Sequence, residues 1–540
     1  MSCPDNPVPS FAYRAWAMCA ITKTRELFER HFYRMVKEAP TYHINRVELH
    51  DYYIPWVNFG ITYRDYPKMQ EFGQIPAHRV QSLDQSTEES RAYMKQIFQH
   101  VKNAGLKVNL WYHVGRDVPP GLAEAYPEYT DVDTGFVYQF EENCLDEFFD
   151  RYPEVDAITV TSLHETDSVL GRPGKMSRKE RLLALYNAIY RACRKHNREF
   201  VLRDFIVKKE DFDDFAAILD QLPRDIIIMT KEVLADWSFV REEMNPFIPK
   251  YSNRRLVIEM DTYGEYYGRS DIPYCDPAYY YKCIRQFLPF GIEGATGRIV
   301  HDGPRQSQFG TIFDSLNEIN AVTFANTLYD VGPTMDSLGR WAGTMLSDPG
   351  HRLWQAWTQK RFGKDAAPYV VAILRHTPEM IQATTSTCDF GGQMKRDVYG
   401  PEVWTRRTAT PSVHPQGVLH DWVRREPSAL AMIQAEKDDL VTLSANLRDR
   451  ARALAAQFKH PGLADLVKGM ENLDMVARAS RVTALIHALG LIDKSNSRLP
   501  ELAEESIQLA DQIASHRGET FHFELPRKLR EWAGWAQGPT

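Results

Sequence analysis

Two periods of apolar residues interleave along the first 300 positions of the chain. Short runs rich in β-branched and aromatic residues read as strands over 11–19, 44–49, 107–113, 157–163, 200–205, 226–231, 256–263 and 292–297. Between them, spacing near 3.6 predicts helices over 22–38, 88–104, 142–152, 177–196, 208–221, 276–288 and 307–325. The segment 177–196 shows the pattern: Leu182, Leu183, Leu185, Tyr186 and Ile189 share one face, and Arg178, Lys179 and Glu180 fill the first turn.

Eight strands alternating with helices predict an α/β fold of the (β/α)8 barrel type. A doubly wound open sheet is the competing arrangement, but neither GxGxxG nor GxxxxGK followed by Ser or Thr comes after the first strand. The connections 51–87 and 114–141 are long and rich in Tyr, Trp, Asp and Pro, as expected of loops that build a barrel mouth. Beyond about residue 325 the strand runs vanish, and Ala, Leu, Arg, Glu and Gln dominate 416–517. The reading is therefore a barrel over 1–325 and an all-helical C-terminal domain over 326–540. No Pro/Gly-rich linker separates them, so the helices are expected to pack on the barrel, where they also offer a surface for a homodimer.

Composition narrows the functional class. With 65 Lys plus Arg and 72 Asp plus Glu, the net charge is −7, which argues against a nucleic-acid partner. No run of 18 apolar residues is present, so no membrane partner is expected. The seven Cys have no CxxC spacing, which points away from a disulfide framework or a thiolate zinc site. The opening MSCPDNPVPS has no basic stretch leading into an apolar one. A cytoplasmic protein is expected, or a secreted one whose leader has been removed.

Barrel enzymes carry their chemistry at the C-terminal ends of the strands. On the fourth strand Ala157, Thr159, Thr161, Leu163 and Glu165 share parity, so Glu165 emerges at the mouth unless it caps a helix. On the seventh, Glu259, Asp261, Tyr263 and Glu265 share a face, either as a buried network with neighbouring Arg and Lys or, at Glu265, in function. After the sixth strand, Asp236 precedes Trp237, a carboxylate beside a ring able to serve as a sugar platform, or a helix cap. Arg203 and Lys231 end strands five and six. They either neutralise protein acids such as Asp204, Glu232 or Asp261, or bind an anionic substrate. His113 and His164 are further mouth candidates; too few ligands converge for a metal site, and no cofactor is expected. Carboxylates on separate strands with aromatic loops fit glycoside hydrolysis, which needs an acid for the leaving oxygen and a second group for water or the anomeric carbon.

The stretch 226–268 resembles the core of glycoside hydrolase family 67, the α-glucuronidases. That family carries K-N-G-P-x-D followed by an aromatic residue, then R-E-P, then a strand ending Q-E-Y-x-G. Here Lys231 and Asp236 keep the five-residue separation, Arg241, Glu242 and Pro246 echo R-E-P, and Glu265-Tyr266-Tyr267-Gly268 matches E-Y-x-G. Arg203 matches the Arg of W-R-x-F, and Glu165 stands at the position of the general acid. Downstream, GIEGATGRI and SLNEINAVTFANTLYD are similar to the last strand and the entry to a helical C-terminal domain. Thr161 replaces a Lys, Asp261 a Gln, and Glu232-Val233-Leu234 the N-G-P.

The resemblance implies an exo-acting, inverting hydrolase that removes a terminal α-linked uronic acid from a carbohydrate without metal. Glu165 would be the acid, Asp236 and Glu265 would activate water, and Arg203, Lys231, Trp237, Tyr266, His113 and Asp261 would line the sugar site. A glycosidase for another sugar, its pocket reshaped by Asp261 and Thr161, and a non-catalytic carbohydrate-binding barrel are the alternatives.

Overall fold

The computed structural model describes residues 10–19, 25–50, 61–70, 87–112, 114, 121–161, 171–205, 209–233, 244–264, 271–301, 310–330, 349–388, 390–391 and 416–538. Eight parallel strands close into a barrel in sequential order: β1 (Tyr13–Cys19), β2 (Arg46–His50), β3 (Lys107–Tyr112), β4 (Val155–Thr161), β5 (Glu199–Arg203), β6 (Ile227–Lys231), β7 (Arg255–Asp261) and β8 (Gly294–His301). Each predicted strand is present, with ends shifted by a few residues. The largest shift is at β8, which runs on to His301 past two glycines. Those glycines serve packing: Gly294 passes so close to β1 that a Cβ there would lie 1.7 Å from the Tyr13 carbonyl oxygen, and the ring of Phe324 covers Gly297.

The helices around the barrel are α1 (Arg25–Glu38), α2 (Thr87–Asn103), α3 (Phe136–Arg151), α4 (Arg178–Lys195), α5 (Lys209–Leu219), α6 (Pro277–Gln286) and α7 (Glu318–Tyr329). Ser177 and Glu180 form a capping box that starts α4. Two helix starts differ most from the sequence reading. α3 begins at Phe136, six residues before the expected 142, because Gly135 at φ 77° ends the preceding turn and launches the helix. α7 begins at Glu318 because Thr311 and Asp314 cap a separate 3₁₀ turn, Ile312–Asp314, ahead of it.

Strand parity divides the core. Val47, Leu49, Leu110, Ile158, Val160, Leu202, Ile228 and Ile258 face the helices, while Tyr13, Ala15, Trp111, Val201, Ile227, Met229 and Val257 form a separate cluster inside the barrel. The N-terminal end is braced by ion pairs, Arg46–Glu199 at 2.5 Å and Arg255–Glu293 at 2.7 Å.

The C-terminal region is built from α8 (Pro349–Phe362), α9 (Ala367–Leu374), α10 (Thr377–Thr385), α11 (Gln416–Arg425), α12 (Ala429–Phe458), α13 (Gly462–Ile492), α14 (Leu499–Arg517) and α15 (Phe521–Gln537). A two-stranded ladder, Ser386–Thr387 with Phe390–Gly391, interrupts the helices, so strand structure does not end at residue 325. Its two-residue strands are too short to leave a periodic signal. α13 is long and apolar enough to cross a membrane by composition, but 67% of its most apolar stretch is buried in the packing of its neighbours. The helices dock on the barrel through an apolar cluster that joins Ile272, Tyr274, Leu316 and Ile319 to Leu466, Met470 and Leu473 of α13. Asn472 donates to the Asp271 carbonyl at 2.8 Å, and Arg361 donates to the Ser315 carbonyl at 2.6 Å and to Glu318 at 2.9 Å.

Candidate active site

The strand register assembles a charged layer at the C-terminal end of the barrel. It sets Thr161 opposite Arg203, Lys231 opposite Glu259, and Asp261 opposite Arg298. Because Arg203, Lys231, Glu259 and Arg298 share inward parity, four charged side chains converge where the sequence shows them on four separate strands.

Glu259 is the centre of this layer. Arg203 grips it with two bonds, Nε to Oε2 at 2.6 Å and Nη2 to Oε1 at 3.2 Å. Arg298 holds Oε1 from the other side, Nε at 2.7 Å and Nη2 at 2.5 Å. Glu259 has no exposed surface, and Arg203 and Arg298 are 3% and 5% exposed. Burial alone would raise its pKa, but the charges of Arg203, Arg298 and Lys231 outweigh that and hold it below the usual carboxylate range. Glu259 is therefore an anion that fixes the orientation of two guanidinium groups. Glu259 itself sits in a buried network with neighbouring arginines, and the described carboxylate that Arg203 bonds is Glu259, not Asp204, Glu232 or Asp261; Glu265 lies outside the described residues.

Beneath the charges lies an aromatic floor. The guanidinium carbons of Arg203 and Arg298 sit 4.9 and 5.7 Å from the centre of the Trp111 ring, and His50 stacks on the same ring at 3.8 Å. Trp111 Nε1 donates to Glu48 at 2.8 Å, Tyr13 donates to the other Glu48 oxygen at 2.5 Å, and Asn109 bridges Tyr13 and Thr159 at 3.0 Å each. Burial pushes Glu48 above the usual carboxylate range in spite of those two donors. Lys231 lies 4.2 Å from the centre of the Phe205 ring. Asp261 accepts the amides of Tyr263 and Gly264 at 3.0 Å each, and its carbonyl takes the Tyr280 hydroxyl at 2.7 Å. Asp204 turns outward to Tyr251 and Thr230, and burial pushes it up to about 6.

Of the expected site residues, Arg203, Lys231 and Asp261 are brought together. Glu165, Asp236, Glu265, Trp237, Tyr266, His113 and His164 lie outside the described residues. Sequence reasoning did not single out Arg298, Trp111, His50 or Glu48. Arg298 carried a usable signal, a charge inside a strand whose preceding residues are all small, whereas Glu48 lies in a strand that also holds Arg46 and His50. The layer sets guanidinium and ammonium charges around the buried Glu259 carboxylate, with both guanidinium groups over the Trp111 ring.

No family model and no curated protein matches the chain. Solved structures do match. A GH138 enzyme targeting pectin rhamnogalacturonan II aligns with a TM-score of 0.62 at 12% identity, covering 98% of this chain and 84% of that one. A chitobiase from Flavobacterium johnsoniae aligns at 14% identity over 97% and 78% of the two chains, and a mutant Thermobaculum terrenum O-GlcNAc hydrolase at 11% over 97% and 94%, each with a TM-score of 0.40. These neighbours are glycoside hydrolases. What the first of them shares with this chain is the fold, a closed (β/α)8 barrel followed by a helical region.

Proposed function

We propose that the chain is a glycoside hydrolase acting on a carboxylate-bearing sugar. The observation that carries the reading is the layer of Arg203, Glu259, Arg298 and Lys231 over Trp111, at the end of the barrel where such folds place their active sites. Two guanidinium groups held rigid by one carboxylate suit recognition of a planar anion, because less side-chain freedom is lost on binding. A uronic acid supplies that anion. Pectin is a polymer rich in uronic acid, so the pectin named for the GH138 neighbour is consistent with this chemistry.

In this reading the hydrolase is exo-acting and inverting. Glu165 protonates the leaving oxygen, and Asp236 with Glu265 positions and deprotonates the water. An inverting mechanism requires the acid and base carboxyls to stand about 6.5–9.5 Å apart, leaving room for that water.

The test is a panel of oligosaccharides capped with uronic acids and with the matching neutral sugars, the anomer of the product being read by NMR. Arg203→Ala is expected to lower kcat/KM on the acidic sugar by several-fold to about a hundredfold, the worth of a charged hydrogen bond, and to spare the neutral one. The engagement of both arginines by Glu259 favours a second reading, a neutral-sugar glycosidase in which the ion cluster only braces the barrel. An equal loss on both sugars selects it.

A further inference from the structure

The connection from β7 to α6 leaves the C-terminal end of the barrel, where such folds place their active sites. Loops there ordinarily run over the surface and satisfy their main chain with water. The returning part, 271–276, is instead buried throughout. Its main-chain groups need protein partners, and they find side chains. The amides of Tyr274, Cys275 and Asp276 donate to Asn317 Oδ1 at 2.7 Å, Thr377 Oγ1 at 3.0 Å and Asn320 Oδ1 at 2.9 Å. Asn320 donates back to the Tyr274 carbonyl at 2.6 Å, and Asn472 donates to the Asp271 carbonyl at 2.8 Å. Asn317 and Asn320 stand at the start of α7, but Thr377 and Asn472 come from α10 and α13 of the helical region. Each of these two is buried and fixed in orientation. The Thr377 hydroxyl donates to the Leu374 carbonyl at 2.8 Å, which turns a lone pair toward Cys275. Arg517 Nε donates to Asn472 Oδ1 at 2.7 Å, which decides that the NH₂ end of the amide meets Asp271.

We propose that Thr377 and Asn472 are positioning residues, through which the helical region holds the β7–α6 connection in the geometry that catalysis at the barrel mouth needs. This rests on the hydrolase reading above, in which Glu265 belongs to the same connection, and it is independent of the sugar's charge. Removing either side-chain group leaves a buried main-chain group without its partner. The segment then has to shift or admit water to regain one. A displacement of about 1 Å far from the chemistry is enough to cost up to about a hundredfold in rate.

The experiment compares kcat, KM and Tm of the full chain as wild type, Thr377→Val, Thr377→Ser, Asn472→Leu and Ser506→Ala. The substrate is the member of the sugar panel that the wild type hydrolyses fastest, at a temperature well below the lowest Tm. Hydrogen exchange over 271–276 reports the loop directly. Ser506 is the control: it is equally buried, and its hydroxyl donates to the Leu529 carbonyl at 2.8 Å, between α14 and α15. Thr377→Val and Asn472→Leu should exchange faster over 271–276 and lose roughly fivefold to a hundredfold in kcat, with KM within about threefold. Thr377→Ser keeps the hydroxyl and should recover most of kcat. Ser506→Ala should lower Tm and leave kcat as it is. Wild-type kcat in both Thr377→Val and Asn472→Leu overturns the proposal, whatever their Tm. So does a loss in Ser506→Ala as large as theirs, which would mean general loosening, or a Thr377→Ser as slow as Thr377→Val. Failure of the hydrolase reading looks different: the wild type then hydrolyses no member of the panel.

Discussion

Glu165 and Glu141 lead to two separate measurements at the scale of single residues. If Glu165 is the general acid, Glu165→Gln should cost about 10²–10⁴-fold on substrates with poor leaving groups and far less on activated aryl glycosides, which need little protonation. Equal losses on both would remove it from that role. Glu141, on α3, is 1% exposed and accepts the Tyr112 hydroxyl at 2.7 Å. Burial pushes it from 4.5 up to about 7, against the pull of Tyr112 and Arg172. A raised carboxyl binds its proton more tightly folded than unfolded. Its contribution to stability is therefore complete below 4.5 and is lost as pH climbs to about 7. Glu141→Gln should equal the wild type in urea denaturation near pH 4 and exceed it by roughly 1–3 kcal/mol above pH 8.

At the scale of elements, barrel closure depends on the β8–β1 seam. Gly294 has φ 151°, and a side chain there would meet the Tyr13 carbonyl at 1.7 Å. Main chain on both sides leaves nothing flexible to yield. Gly294→Ala should cost more than about 3 kcal/mol, combining overpacking with a strained φ, and reduce the yield of folded protein. Gly297→Ala meets only the edge of the Phe324 ring, at 2.8 Å, and should cost less. Thermal unfolding of the two variants ranks them.

For the whole molecule, α13 ties the helical region to the barrel. A Cβ at Gly469 would lie 2.7 Å from the Leu316 side chain and 2.9 Å from the Pro273 ring, next to the Asn472–Asp271 bond. Gly469→Leu should wedge that contact open and lower stability by roughly 1–3 kcal/mol, read as a lower Tm and faster proteolysis within 460–475. A Tm equal to the wild type would mean that the contact is dispensable.

The barrel was legible because its information is local. Each strand carries its own apolar run and turn signals, and eight such runs in alternation with helices admit few topologies. Residue types at strand ends, such as Arg203, Lys231 and Asp261, were legible for the same reason. What needed tertiary structure was pairing. Inward parity and the stagger of a closed barrel place Glu259 between Arg203 and Arg298, partners 56 and 39 residues away along the chain. Nothing in the local pattern distinguishes that partner from Asp204, which turns outward to Tyr251, or from Glu232, which is buried beside two acids. Protonation follows from the same cause: the chain lists its carboxyls, but burial and neighbouring charge decide which of them stay ionised, and both exist only once the barrel has closed.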